Sequence, residues 1–311
     1  MKYNLIAIGI LSAIILPFGK IATTINNDGF AHYQTFEAIK TGNANFLYLG
    51  QRITGYELVW LERMTGINII TLFMWFNYLV LIIGGIMTMI MIEKITKSKL
   101  AGILSMFVIT FGTGAVTHLF WSGTIFNVME MAVLLPLTIL TFYLLIEKRN
   151  IKNFLFFIIS AIILLLYHPT FGINTYSYIP TIRNATEGNS IGESIINPIA
   201  VIFILIGITN FTCFIIGIIN IVKQEITLSQ IITITSIILT AILFGVLAFT
   251  KITAFSSRMA MNLAIVINLL TVIFLGLILK NKESKSIITN SICISLLIVG
   301  IIPNLVQWVR S

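Results

Sequence analysis

Apolar runs about as long as a bilayer is thick recur along the whole chain, separated by short polar intervals. About 20 apolar residues in helical form cross the hydrocarbon core. On that measure there are nine spans, near 4–22, 67–92, 100–118, 126–146, 154–172, 198–222, 230–250, 259–279 and 287–308. The apolar positions do not alternate with period two, which argues against a membrane barrel. The expected fold is therefore all-α and polytopic, one transmembrane domain over residues 1–311.

Two polar intervals are too long to be turns. The first outer loop, 20–66, holds Asn26-Asn27-Asp28-Gly29-Phe30-Ala31-His32-Tyr33. Asn27 or Asp28 can cap a helix that runs to Lys40, with Gly42 as its stop. Phe30, Phe36 and Ile39 would form its apolar side. An irregular stretch, Asn43 to Thr54, is followed by a second short helix, Tyr56 to Met64. Leu58, Leu61 and Met64 would face the lipid, with Glu57 and Arg63 on other faces. Both are expected to be interfacial helices. The second long outer loop is 168–197.

Composition sharpens this picture. Mean hydropathy is +1.02. With 58% hydrophobic and 10% charged residues, the chain is not a water-soluble domain. The net charge of +8 resolves into a topology. With the N-terminus in the cytoplasm, the inside segments carry eleven basic residues against four acids, and the outside segments eight against seven. That is the positive-inside pattern, with the C-terminus outside and the protein in the cell membrane. Met1-Lys2 and the apolar run Leu5–Phe18 resemble a signal peptide. Ala22-Thr23 is the nearest approach to a cleavage site, so an uncleaved signal anchor is expected. Cys213 and Cys293 lie inside apolar runs and offer neither a disulfide framework nor zinc spacing. There is no phosphate-cradling glycine loop and no basic-aromatic patch, so nucleic acid is not an expected partner.

The candidate chemistry lies on one side of the membrane. Asp28 is the only aspartate, and His32, His118 and His168 are the only histidines. All four fall at or near the outer surface, and the inner halves of the spans look bare. Asp28 and His32 are one turn apart on one helix face. For Asp28, a helix cap and a catalytic carboxylate both remain open. His118 ends the third span beside Phe120, Trp121 and Ser122, where an aromatic anchor is the plainer role. Glu130 lies about a turn inside the fourth span, where an acid is costly unless paired or facing a wet cavity. Pro136 on the same helix can kink it and open space. His168 precedes Pro169 and is thereby pushed out of helical geometry. Arg258, after Ser256-Ser257 at the start of the eighth span, is either a snorkelling anchor or a phosphate ligand. Arg52 and Arg63 in the first outer loop are further cations.

These features resemble the GT-C glycosyltransferases, membrane enzymes that use polyprenyl-phosphate-linked sugars. The resemblance rests on the Asp28-centred segment Asn27–Tyr33 in the first outer loop and on the two helices expected there. Trp121-Ser122-Gly123, Tyr167-His168-Pro169-Thr170 and Ser256-Ser257-Arg258 are similar to elements of bacterial and archaeal members. It covers roughly residues 1–280 and implies a compact member without a soluble C-terminal domain. The implied activity is inverting sugar transfer on the outer face, with Asp28 as general base. Arg258 would meet the leaving phosphate, with Arg52 and Arg63 behind it. His32, His118, His168 and Glu130 would line the substrate pockets. The implied donor is a polyprenyl-phosphate sugar, and the acceptor is a glycan, lipid or protein. No cofactor is required by the resemblance, and the second acid of some members' divalent metal sites has no match.

Three readings from other classes compete. A transporter or flippase of a lipid-linked substrate requires polar groups reaching both faces. A non-catalytic subunit of a larger membrane complex, with other membrane proteins as partners, tolerates neutralisation of Asp28, Glu130 and Arg258. A metal site would use Asp28, His32, His118 and His168.

Overall fold

The computed structural model describes residues 2–15, 27–43, 49–111, 125–167, 208–221, 225–249 and 256–279, together with 291, 294 and 295. The described elements are all helical. They are α1 (Lys2–Ile15), α2 (Asn27–Lys40), α3 (Leu49–Thr65), α4 (Ile69–Thr96), α5 (Lys99–Phe111), α6 (125–147), α7 (Ile151–Tyr167), α8 (Ile208–Ile221), α9 (Leu228–Phe249) and α10 (Ser256–Leu279). Among the described residues, four stretches are long and apolar enough to cross a membrane: Ile69–Thr96, Met129–Glu147, Leu228–Ala248 and Met259–Leu279. α1, α5, α7 and α8 contain shorter apolar helices. This is the build of an integral membrane protein. The last apolar run, 287–308, and the loop 168–197 lie almost wholly outside the described residues.

The bundle is centred on α10. In its most apolar stretch 89% of residues are buried, against 33% for α9. It is enclosed by α4, α5, α8 and α9. Small residues permit this, because lipid-embedded helices gain by close packing and not by escaping water. A Cβ on Gly276 would sit 2.7 Å from Thr96 and 2.8 Å from Ala101. Gly217 of α8 likewise admits Phe274, which stacks on Phe214 at 5.8 Å.

α4 is the second hub, in contact with α1, α3, α5, α6 and α10. It ends where Lys97 takes a left-handed turn (φ 60°) and its N–H reaches the Glu93 carbonyl at 2.9 Å. A lysine replaces the usual glycine there. Its ammonium binds Glu147 at 2.9 Å and lies over the Tyr143 ring, tying the α4–α5 turn to α6.

α6 is one helix with a widened turn. Ile125–Val128 is α-helical, Met129–Leu134 is π-helical, and Leu135–Glu147 is α-helical again. The cause is Pro136. Its ring clashes with the carbonyl four residues back and it has no N–H to offer. The chain relieves this by lengthening the preceding turn, so that Leu135 N–H bonds the Glu130 carbonyl five residues back. Gly84 of α4 packs against this turn, where a Cβ would lie 2.9 Å from Ala132 Cβ.

Buried polar groups also collect at the end of the bundle where α4 turns into α5. Ser105, Thr96, Thr233 and Gln230 are buried there. Each hydroxyl bonds a carbonyl of its own helix. Gln230 Nε2 crosses to the Ile95 carbonyl at 2.6 Å.

Candidate functional site

The segment 20–66 supplies two helices, as its polarity pattern predicts. α2 stops at Lys40, and Gly42 takes the left-handed conformation (φ 80°). The N–H groups of Gly42 and Asn43 then satisfy the Ile39 and Ala38 carbonyls. Phe36 and Ile39 are buried. α3 begins at Leu49, seven residues before the expected start at Tyr56. Its orientation also differs from the expected one. Leu58 and Val59 face the protein, whereas Tyr56, Trp60 and Met64 are exposed, Trp60 at 59%. Lipid-facing and protein-facing positions are both apolar here, so hydrophobicity alone cannot separate them. The exposed side carries the aromatic residues that suit a membrane interface.

α3 docks against the last turn of α7. Gly50 lets the Tyr167 carbonyl approach so closely that any Cβ would collide with it. Deeper in, the Thr54 and Tyr167 hydroxyls share a buried hydrogen bond of 3.2 Å. From Tyr167 a run of rings crosses the top of the bundle. Phe126 lies 6.3 Å from Tyr167, Phe76 is 6.5 Å from Phe126, Phe73 is 6.3 Å from Phe76, and Phe36 is 5.1 Å from Phe73. These contacts join α7, α6, α4 and α2. Tyr167→Phe should cost about 1 kcal/mol, the usual value of such a bond. Thermal unfolding of the full chain in detergent checks this.

α2 and α3 pack on each other. Gly55 meets Phe36 and Ile39, and further along both helices Glu62 meets Lys40. Glu62 also anchors the pair to the bundle, because it accepts the Ile69 N–H at the head of α4 at 3.1 Å. The Lys40 hydrogen bond, 2.8 Å long, holds the Glu62 carboxyl below its ordinary value of 4.5. The same bond raises Lys40 above 10.5. A lowered carboxylate stabilises the fold above its unfolded value and loses that contribution as pH falls through the folded value. A raised lysine loses its contribution as pH rises through the folded value. Glu62→Gln should thus cost about 1 kcal/mol at neutral pH. It should also flatten the acid limb of a stability profile below pH 4.5.

The sequence candidates divide as follows. Glu130, in the π turn, is 0% exposed, and both it and Glu57 lie within electrostatic reach of the Tyr167 hydroxyl. Arg52 is half-buried on the α3 turn next to Thr54. Arg63 is exposed near the other end of α3, about 16 Å along the helix from Arg52. It stands in the last turn, where the helix dipole favours a cation. Positions 28 and 32 share one face of α2, and position 258 lies in the first turn of α10. His118 and His168 lie outside the described residues, although His168 directly follows Tyr167. Among the described residues no three histidine, cysteine or acidic side chains come together to hold a metal ion.

Sequence reasoning named Tyr167 only as part of the Tyr167–Thr170 segment, and passed over Asn262. The amide of Asn262 is 0% exposed and has no hydrogen-bond partner among the described residues. Thr88 Oγ1 and Asn77 Oδ1 share this condition. Other polar groups in the spans bond the carbonyl four residues back, as Thr110 does to Met106 and Asn268 Nδ2 does to Ala264. Asn262 keeps both a donor and an acceptor available. Its position one turn below Arg258 on the same face of α10 was the signal available.

No family model, curated protein or solved structure matches this chain.

Proposed function

We propose that the chain is an inverting glycosyltransferase that moves a sugar from a polyprenyl-phosphate donor to an acceptor on the outer face of the membrane. In this reading nine spans carry the N-terminus inside and the C-terminus and active site outside. The observation that carries it is the docking of α3 on Tyr167. That contact sets the α3 turn that carries Arg52 against Tyr167, within electrostatic reach of Glu130 and next to His168 in sequence.

The chemistry assigns each group a task. Asp28 takes the proton of the acceptor hydroxyl, whose oxygen attacks the anomeric carbon from the face opposite the phosphate. The bond from that carbon to the phosphate oxygen breaks, and its electron pair leaves with the lipid phosphate. The charge developing there is met by Arg258, with Arg52 as a further cation, whereas Arg63, at the other end of α3, stands too far from Arg52 to share that phosphate. His32, His118, His168 and Glu130 line the donor and acceptor pockets. A lipid-linked donor accounts for an active site held at the surface of a membrane bundle.

The test is transfer from a panel of polyprenyl-phosphate sugars to cell-envelope acceptors, followed by mass spectrometry. Full-length wild type and Asp28→Asn are compared in vesicles at matched protein level. Transfer by the wild type that is lost in the variant supports the proposal. Equal transfer in both removes Asp28 from the chemistry. No transfer in either, with the fold intact, rejects the enzyme reading in favour of transport or assembly.

A further inference from the structure

The turn from α6 to α7 and the groove above it form a second site, independent of the outer rim. The turn is firmly built. Asn150 Oδ1 caps the start of α7 by accepting the Asn153 N–H at 2.8 Å. The Asn153 amide donates to the Leu144 and Lys148 carbonyls at 2.9 and 2.8 Å. It presents Lys148, Arg149 and Lys152, all exposed. The neighbouring acid, Glu147, is engaged by Lys97. Among the described residues no carboxylate pairs with the three cations. The start of α7 adds its unbonded N–H groups, which also favour an anion. Lys152 lies over the ring of Phe156, the exposed neighbour of Phe157, at 5.7 Å.

A groove of about 290 Å³ opens between α6, α7 and α9. Its lower end is marked by Phe142 and Phe157, whose rings lie 5.2 Å apart. Phe142 is about 9 Å along α6 from Lys148. The hydroxyls in the wall are turned away from any ligand. Thr138, Thr233, Ser236 and Thr240 each bond a carbonyl four residues back in their own helix. What remains is a hydrocarbon surface that ends one to two turns above a trio of cations.

We infer that this is a binding site for one anionic phospholipid, with its phosphate on Lys148, Arg149 and Lys152 and one acyl chain in the α6–α7–α9 groove. Charge complementarity selects the occupant. A zwitterionic lipid gains less from three unpaired cations, and an apolar partner helix gains nothing from them. Only the choice of leaflet, the cytoplasmic one, rests on the topology proposed above. Binding itself does not depend on sugar transfer.

The experiment uses the full-length chain in detergent with phosphatidylglycerol or phosphatidylcholine, each carrying a diazirine on the acyl chain. Retained lipid is read by native mass spectrometry and cross-links by peptide mapping. The wild type should retain phosphatidylglycerol roughly tenfold better than phosphatidylcholine. Its adducts should concentrate on 135–142, 157–164 and 233–240. Replacing the three exposed cations together (Lys148→Gln, Arg149→Gln, Lys152→Gln) should abolish the preference. Ser236→Phe should remove the adducts by filling the groove. Equal retention of both lipids by the wild type, an unchanged preference in the triple variant, or adducts spread evenly over the lipid-facing helices would each overturn the site.

Discussion

Gly84→Leu should destabilise the bundle by about 3 kcal/mol, the upper end for an overpacked core position. Any Cβ at residue 84 would lie 2.9 Å from Ala132 Cβ and 3.2 Å from the Ala132 carbonyl oxygen. The obstacle includes backbone, so no rotamer change can relieve it. Either α4 moves away from the π turn of α6, or the turn itself deforms. Gly9→Leu is the matching control, since a Cβ there meets nothing within 4 Å. Unfolding of both variants in the same detergent should show a lowered midpoint for Gly84→Leu alone. In the gentler variant Gly84→Ala, Ala132→Gly should restore part of the loss. If Gly84→Leu unfolds like the wild type, the close contact between α4 and α6 is not a support of the fold.

On the proposed glycosyltransferase reading, Asp28→Asn should lower sugar transfer by about 100- to 10,000-fold, the range over which a positioned base contributes. Asparagine is the informative replacement because of where Asp28 sits. In the first turn of α2, a short polar side chain helps to satisfy free N–H groups, and asparagine does this about as well as aspartate. Alanine would remove the base and this local support together. A carboxamide removes the proton acceptor and leaves the helix start supported. The loss should therefore fall on kcat, with the KM for the donor little changed. A loss confined to KM would instead make Asp28 a binding group.

Several features of the bundle were legible in the sequence because bilayer thickness and helix rise fix the length of a span. α4, α6, α9 and α10 begin and end within a few residues of the apolar runs that predict them. Gly42 as the stop of α2 was legible too, because few residues accept a left-handed backbone. The face of α3 was not. Leu58 is as apolar as Met64, and only tertiary packing shows that one is buried and the other exposed. For the same reason Tyr167 could not be recognised as a keystone. Its partners, Gly50, Thr54 and Phe126, are distant in sequence, and a ring or hydroxyl gives no sign of what it will meet. Pro136 announced a disturbance, but a proline can produce a kink or a widened turn, and the choice depends on its neighbours. The unspent amide of Asn262 is likewise a property of packing, because Asn268, on the same helix, bonds its own backbone.

The widened turn in α6 has an effect on angular phase. One residue added to a helix advances everything beyond it by about 100°. The stretch with Phe126 and the stretch with Phe142 are consequently out of phase, so a periodic stripe drawn straight through α6 misassigns one of them. The stretch with Phe126 can be turned to face Phe76 and Tyr167 while the stretch with Phe142 is turned to face Phe157. Neither half has to compromise its angle for the other. Deleting a single residue within 129–134 would restore one common phase and swing the whole stretch with Phe126, Glu130 included, away from its neighbours.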